Sequence, residues 1–156
     1  MSNTDSYEMD RSVPNLAIGY THLGLDGEPE AGPRRNNLFQ HVVKGGPAGG
    51  GFSTVEDQFK FSLALQDHRL LTPKFTEILL SGKVNMSRPG AKYAYGFGEE
   101  IVNGHRIVGH AGGGPGISAR FAWYVDLGYT VVVLSNYDPP VADQIASAIR
   151  DLLLHE

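Results

Sequence analysis

A chain of 156 residues, 41% hydrophobic and 19% charged, has the size and composition of one globular domain able to bury about two-thirds of its unfolded surface. Its formal charge of −4, with Lys and Arg scattered, leaves no basic footprint for nucleic acid, and no apolar run reaches the roughly 18 residues of a membrane span. Having no cysteine, it can form no disulfide and cannot use a thiol nucleophile.

Taken in chain order, residues 1–14 read as a flexible polar leader without the basic-then-apolar layout of a signal peptide, so a soluble chain, cytoplasmic as it stands, is expected. Residues 16–20 read as a short strand, residues 24–33 as a surface loop, and residues 45–51 as a glycine-rich irregular stretch. Ser53-Thr54-Val55-Glu56 fits a capping box with Ser53 as the cap, and Val55, Phe59 and Leu63 then share a face of a helix over 54–66. Thr72-Pro73 opens a second helix that runs to about Ser81, before Gly82. The helical section thus covers about 53–82.

The second half changes character. Residues 93–102 and 106–110 flank Asn103-Gly104, both of which tolerate positive φ, and read as a hairpin. A second hairpin pairs 118–125 with 129–135 around Asp126-Leu127-Gly128. Val131-Val132-Val133-Leu134 is apolar on both sides of a strand, which predicts cover on both faces. Asp138-Pro139-Pro140 opens a last helix with Val141, Ile145, Ala148, Ile149, Leu152 and Leu153 on one stripe. The fold class predicted is α+β: helices first, then an antiparallel sheet with a terminal helix on it, the latter two over about 93–154.

Chemistry concentrates at Gly109-His110-Ala111-Gly112-Gly113-Gly114-Pro115-Gly116, read as a loop. Six of these eight residues are glycine or proline, which lets another molecule approach the backbone closely, and His110 adds an imidazole that can donate or accept a hydrogen bond. Other clusters are weak: His22, His41, His68, His105 and His155 lack metal-ligand spacing, and residues 45–51 lack the Gly-Lys-Ser or Gly-Lys-Thr ending of a phosphate loop. No metal and no organic cofactor is expected.

Together with Gly49-Gly50-Gly51-Phe52-Ser53-Thr54-Val55-Glu56-Asp57 and Tyr95-Gly96-Phe97-Gly98, the His110 segment resembles the C-terminal part of the serine beta-lactamase and penicillin-binding-protein superfamily. The branch it most resembles holds class C beta-lactamases, D-alanyl-D-alanine carboxypeptidases and family VIII esterases. The resemblance implies residues 15–156 as a partial domain of the beta-lactamase fold, and a parent activity on beta-lactams, D-Ala-D-Ala peptides or small esters. In that family Ser-x-x-Lys supplies the nucleophile, Tyr-x-Asn a proton shuttle, and Lys-Thr-Gly or His-x-Gly the cleft strand. His110-Ala111-Gly112 matches the last, so His110 is implied as catalytic, the Gly113 amide as an oxyanion-hole donor, and Ala111, Gly112 and Gly114 as substrate-binding.

The first two motifs are absent. Ser53 is followed three residues on by Glu56, Ser62 by Leu65, Ser81 by Val84, Ser118 by Phe121 and Ser147 by Arg150; Tyr20, Tyr93 and Tyr124 have no asparagine two residues on. The expectation is a hydrolase fragment that is inactive alone, with two alternatives: half of a split enzyme completed by an N-terminal half on another polypeptide, or a stand-alone binding and oligomerising module. A homo-oligomer is expected in any case, because a partial sheet exposes an edge. The family resembled is often periplasmic or secreted.

Overall fold

The computed structural model describes residues 1–154, so His155 lies outside the described residues. Its elements are β1 (Tyr20–Thr21), β2 (Arg35–Asn36), α1 (Val55–Gln66), α2 (Pro73–Leu80), β3 (Val84–Asn85), β4 (Ala91–Tyr93), β5 (Gly98–Val102), β6 (His105–Gly114), β7 (Ile117–Tyr124), β8 (Tyr129–Ser135) and α3 (Val141–Leu154). Strands β3 to β8 form one antiparallel meander in sequence order, and β1 pairs with β2 apart from it. Among the described residues no helix is long and apolar enough to cross a membrane.

The pleat of β6 decides where the core sits. Successive side chains leave a strand on opposite faces. Val108 therefore joins Leu65 of α1 and Leu80 of α2 in one buried cluster. Its neighbour Ile107 joins Ala122 and Tyr124 in another, against Leu153 and Leu154 of α3. The sheet is thus covered by α1 and α2 on one side and by α3 on the other. Complete burial of a side chain such as Leu65, 2% exposed, stabilises by about 1.5–3 kcal/mol.

Several expectations are corrected. Strand 16–20 shrinks to Tyr20–Thr21. The cap of α1 is Thr54, whose side chain accepts from the Asp57 amide, while the Ser53 hydroxyl bonds to the Thr4 hydroxyl at 2.8 Å. The run 93–102 is two strands, because the Ala94 amide donates to the Phe97 carbonyl at 2.7 Å and turns the chain. Cover on both faces falls most fully on β6 rather than on 131–134: β8 is the last strand of the sheet, its residues 131–133 are half-buried and Leu134 is 41% exposed. On α3 the face toward the sheet carries the buried Ala142 and Ala146, while Ile145 and Leu152 point away.

Residues 1–14, read above as a flexible leader, lie against the body. The Asn3 amide and the Thr4 hydroxyl donate to the buried Asp57 carboxylate at 2.7 and 2.9 Å, and Asp5 pairs with Phe52 in both directions. Burial of Asp57 works against its charge, yet these hydrogen bonds and the nearby N-terminal ammonium hold its carboxyl below the ordinary range.

Candidate active site

The glycine-rich segment is strand rather than loop: β6 continues through Gly114, and only Pro115 and Gly116 turn the chain into β7. Pairing with β7 overrides the local preference of glycine for loops, because seven successive partners from Val108↔Trp123 to Gly114↔Ile117 hold the strand in register. Gly116 takes the positive φ of +67° that the turn needs. Gly113 is small for a different reason: a Cβ there would sit 2.6 Å from the ring of Pro139.

Register also fixes which way each peptide group points. In an antiparallel pair, residues alternate between hydrogen-bonded and non-bonded positions. The Val125 amide donates to the Arg106 carbonyl at 2.9 Å, so Arg106 and the even residues after it turn their peptide groups toward β7. Gly109, Ala111 and Gly113 therefore turn theirs toward β5. Only Gly109 finds a strand there, because β5 begins at Gly98, its register partner. The amides and carbonyls of Ala111 and Gly113 are left on an open strand edge, with no protein partner among the described residues.

His110 stands at the start of this edge and is exposed. Its Nε2 lies 2.9 Å from the Tyr93 hydroxyl, with the two rings edge to face at 5.9 Å and 66°. A cleft of about 220 Å³ opens beside them, lined by Met86, Tyr93, Gly98, Gly109, His110 and Ala111 together with the charged Arg88, Glu100 and Arg120. Gly112, Gly113 and Gly114 continue along β6 outside that lining. Glu100 is compensated by Arg88 at 2.6 Å and Arg120 at 3.8 Å, and Arg120 also meets Asp143 of α3 at 3.5 Å. A second cavity of about 230 Å³ between sheet and α3 shares Arg88, Glu100 and Arg120 with the first.

Three residues the sequence reading did not assign to the site brace it. Asp138 accepts from the Gly116 amide at 2.7 Å and the His22 amide at 2.9 Å, tying the turn beyond Gly114 to β1. Burial opposes the Asp138 charge, but hydrogen bonds from Thr21, His22 and Gly116 outweigh it and hold the carboxyl below its ordinary value. Asn37 donates to the Pro115 carbonyl at 2.9 Å. Ser118, opposite Gly113, accepts the Ala142 amide at 3.0 Å and so fixes the start of α3. Tyr93 is a fourth, and its signal was countable: from the Asn103-Gly104 turn, register sets Gly98 across from Gly109, and Tyr93 across from Gly98. The arrangement offers one imidazole and an open row of backbone donors and acceptors, suited to an extended acyl or amide group. Among the described residues no group of acidic or histidine side chains could hold a metal.

A family model described as beta-lactamase matches residues 1–156. A penicillin binding protein from Bacillus halodurans is similar in structure at a TM-score of 0.83 and 30% identity, over 96% of this chain and 44% of that one. An octameric penicillin-binding protein homologue from Pyrococcus abyssi shares the fold at a TM-score of 0.71 and 22% identity, over 97% of this chain and 34% of that one. So does a D-stereospecific amidohydrolase from Streptomyces sp., at 0.68 and 21%, over 92% of this chain and 42% of that one. The chain therefore spans less than half the length of each of these proteins. No curated protein matches it in sequence.

Proposed function

The chain belongs to the beta-lactamase family, and on that premise we propose that it is the substrate-facing sheet portion of a serine hydrolase and has no hydrolytic activity by itself. The observation that carries this reading is the open edge of β6, where the peptide groups of Ala111 and Gly113 have no partner among the described residues, beside His110 in the cleft. An amide aimed at a developing oxyanion stabilises it strongly when it is held by a rigid strand, and Gly113 fills that role. His110 supplies a hydrogen bond to substrate, and Ala111, Gly112 and Gly114 line its path. The substrate class is a beta-lactam, a D-Ala-D-Ala peptide or a small ester; the amidohydrolase among the similar folds supports acyl transfer from an amide.

Acyl transfer also needs a nucleophile and a base beside it. No serine here is followed by lysine three residues on, and no tyrosine by asparagine two residues on. Incubation of the purified 156-residue chain with a fluorescent penicillin and a fluorophosphonate probe is expected to label no serine, by mass spectrometry. A labelled serine, or turnover of nitrocefin, overturns the reading.

A second reading is half of a split hydrolase. It is favoured by the match of 96% of this chain to only 44% of the Bacillus halodurans protein. A separate polypeptide carrying Ser-x-x-Lys and Tyr-x-Asn would then restore turnover, His110→Ala would lower it, and His105→Ala would leave it intact. A third, a stand-alone binding and oligomerising module, draws on the octamer described for the Pyrococcus abyssi homologue. It predicts assembly without any gain of turnover in that mixture.

A further inference from the structure

The Tyr93 hydroxyl and the His110 imidazole form a side-chain pair in the cleft that the hydrolase motif does not include. Tyr93, Gly98 and Gly109 lie in one register row across β4, β5 and β6, and His110 follows Gly109. Gly98 and Gly109 leave the Tyr93 face of this row without side chains, and the Tyr93 hydroxyl lies 2.9 Å from Nε2 of His110. The edge-to-face contact of the rings at 66° restricts rotation of both.

From this geometry we infer that Tyr93 is the positioning residue of His110, holding its ring as the Nδ1–H tautomer so that the cleft presents an N–H donor to a substrate oxygen. A neutral imidazole has one N–H and one bare nitrogen, and the bond made at one nitrogen decides the state of the other. A phenol O–H is the stronger donor of the pair and an imidazole nitrogen the stronger acceptor, so the hydroxyl donates and Nε2 is bare. The proton then resides on Nδ1, which has no protein partner among the described residues on an exposed side chain. A donor there complements a carboxylate or carbonyl oxygen. This assignment of what the cleft recognises rests on the hydrolase reading above; the tautomer itself does not.

The test is a long-range proton–nitrogen correlation spectrum of the 15N-labelled chain at about pH 8.5, above the ordinary histidine value of about 6.5. His110 is identified by the signal lost in His110→Gln. The expected wild-type pattern is a protonated Nδ1 and a bare Nε2. Tyr93→Phe keeps the ring and removes the donor, and should move His110 toward the Nε2–H form. Tyr95→Phe, on an exposed side chain two residues on, should leave the pattern unchanged. An Nε2–H pattern in the wild type overturns the inference, as does an unchanged pattern in folded Tyr93→Phe. Should Tyr93→Phe fail to fold, the wild-type pattern still decides. Hydrolytic turnover plays no part in this readout, so a serine labelled by penicillin would refute the function proposed above and leave the tautomer result standing.

Discussion

The Gly116 amide donates to the Asp138 carboxylate at 2.7 Å, so the tip of the site strand is tied to the segment that leads into α3. The other oxygen of the same carboxylate accepts the His22 amide at 2.9 Å, joining a third part of the chain to this point. Three segments far apart in sequence thus meet at one charged acceptor, next to the open edge that carries Gly113. Hydrogen bonds to a charged group contribute about 1.5–3 kcal/mol where the partner would otherwise be left buried and unpaired.

Asp138→Ala is expected to lower unfolding stability by about 2 kcal/mol, and Asp138→Asn by about as much, because one oxygen still accepts but the side-chain NH2 then meets the other backbone N–H. Urea denaturation measures both. The acid dependence follows from the lowered value of the Asp138 carboxyl. Its folded pKa lies below the unfolded one of about 3.9, so the contribution is present above that pH and is lost as pH falls through the folded value. The acid limb of the stability curve should therefore be shallower in Asp138→Asn than in the wild type. Parallel limbs would show that the bonds carry no net stability.

Two leucines test the assignment of faces. Leu65 is 2% exposed against Val108 and Leu80, whereas Leu152 is 78% exposed on the outer side of α3. Leu65→Ala should cost about 2–5 kcal/mol through lost burial and the cavity left behind. Leu152→Ala should stay within about 0.5 kcal/mol in the monomer, as surface substitutions do. Thermal melts of the two variants at low protein concentration separate them.

Gly112 and Gly113 are neighbours with different tolerances. A Cβ on Gly112 meets nothing within 4 Å, but one on Gly113 would lie 2.6 Å from the Pro139 ring. Gly113→Ala should therefore destabilise by about 1–3 kcal/mol, the range for overpacking a well-filled site, and Gly112→Ala should be near neutral. Calorimetry checks the order; equal melting temperatures would mean that Pro139 moves aside freely.

What could be read from the sequence was what local chemistry decides. Asn103-Gly104 marks its turn because both residues take positive φ, and Thr72-Pro73 marks a helix start because proline loses nothing there. The cap of α1 was one residue off because Ser53…Glu56 and Thr54…Asp57 both carry the box spacing, and only the position of Thr4 against Ser53 decides between them. The path of β6 through Gly112–Gly114 was hidden, since glycine favours loops locally and only pairing with β7 makes it strand. His110 was legible through its motif. Tyr93 was legible only by counting: Asn103-Gly104 sets Gly98 across from Gly109, and the turn at Ala94–Phe97, marked by Gly96 at φ +81°, lies inside the run read as one strand.

Assembly is the remaining expectation. Among the described residues no strand pairs with the outer edge of β8, and Tyr129 and Leu134 along that strand are 55% and 41% exposed. On the adjoining helix Ile145 and Leu152 are 46% and 78% exposed, with Ala148 between them at helical spacing. An open strand edge next to an apolar helix stripe is the kind of surface that soluble chains cover, and a second copy offers matching edge and stripe across a two-fold axis. Light scattering of the chain at tens of micromolar should therefore give at least twice the 16.9 kDa chain mass. Ile145→Glu with Leu152→Glu should return it to a monomer whose circular dichroism is unchanged, because neither side chain faces the sheet. A wild-type chain that scatters as a clean monomer at that concentration would refute the expectation. In that case the single parallel bridge of Tyr20 to Tyr137, just past the end of β8, would be cover enough for the edge.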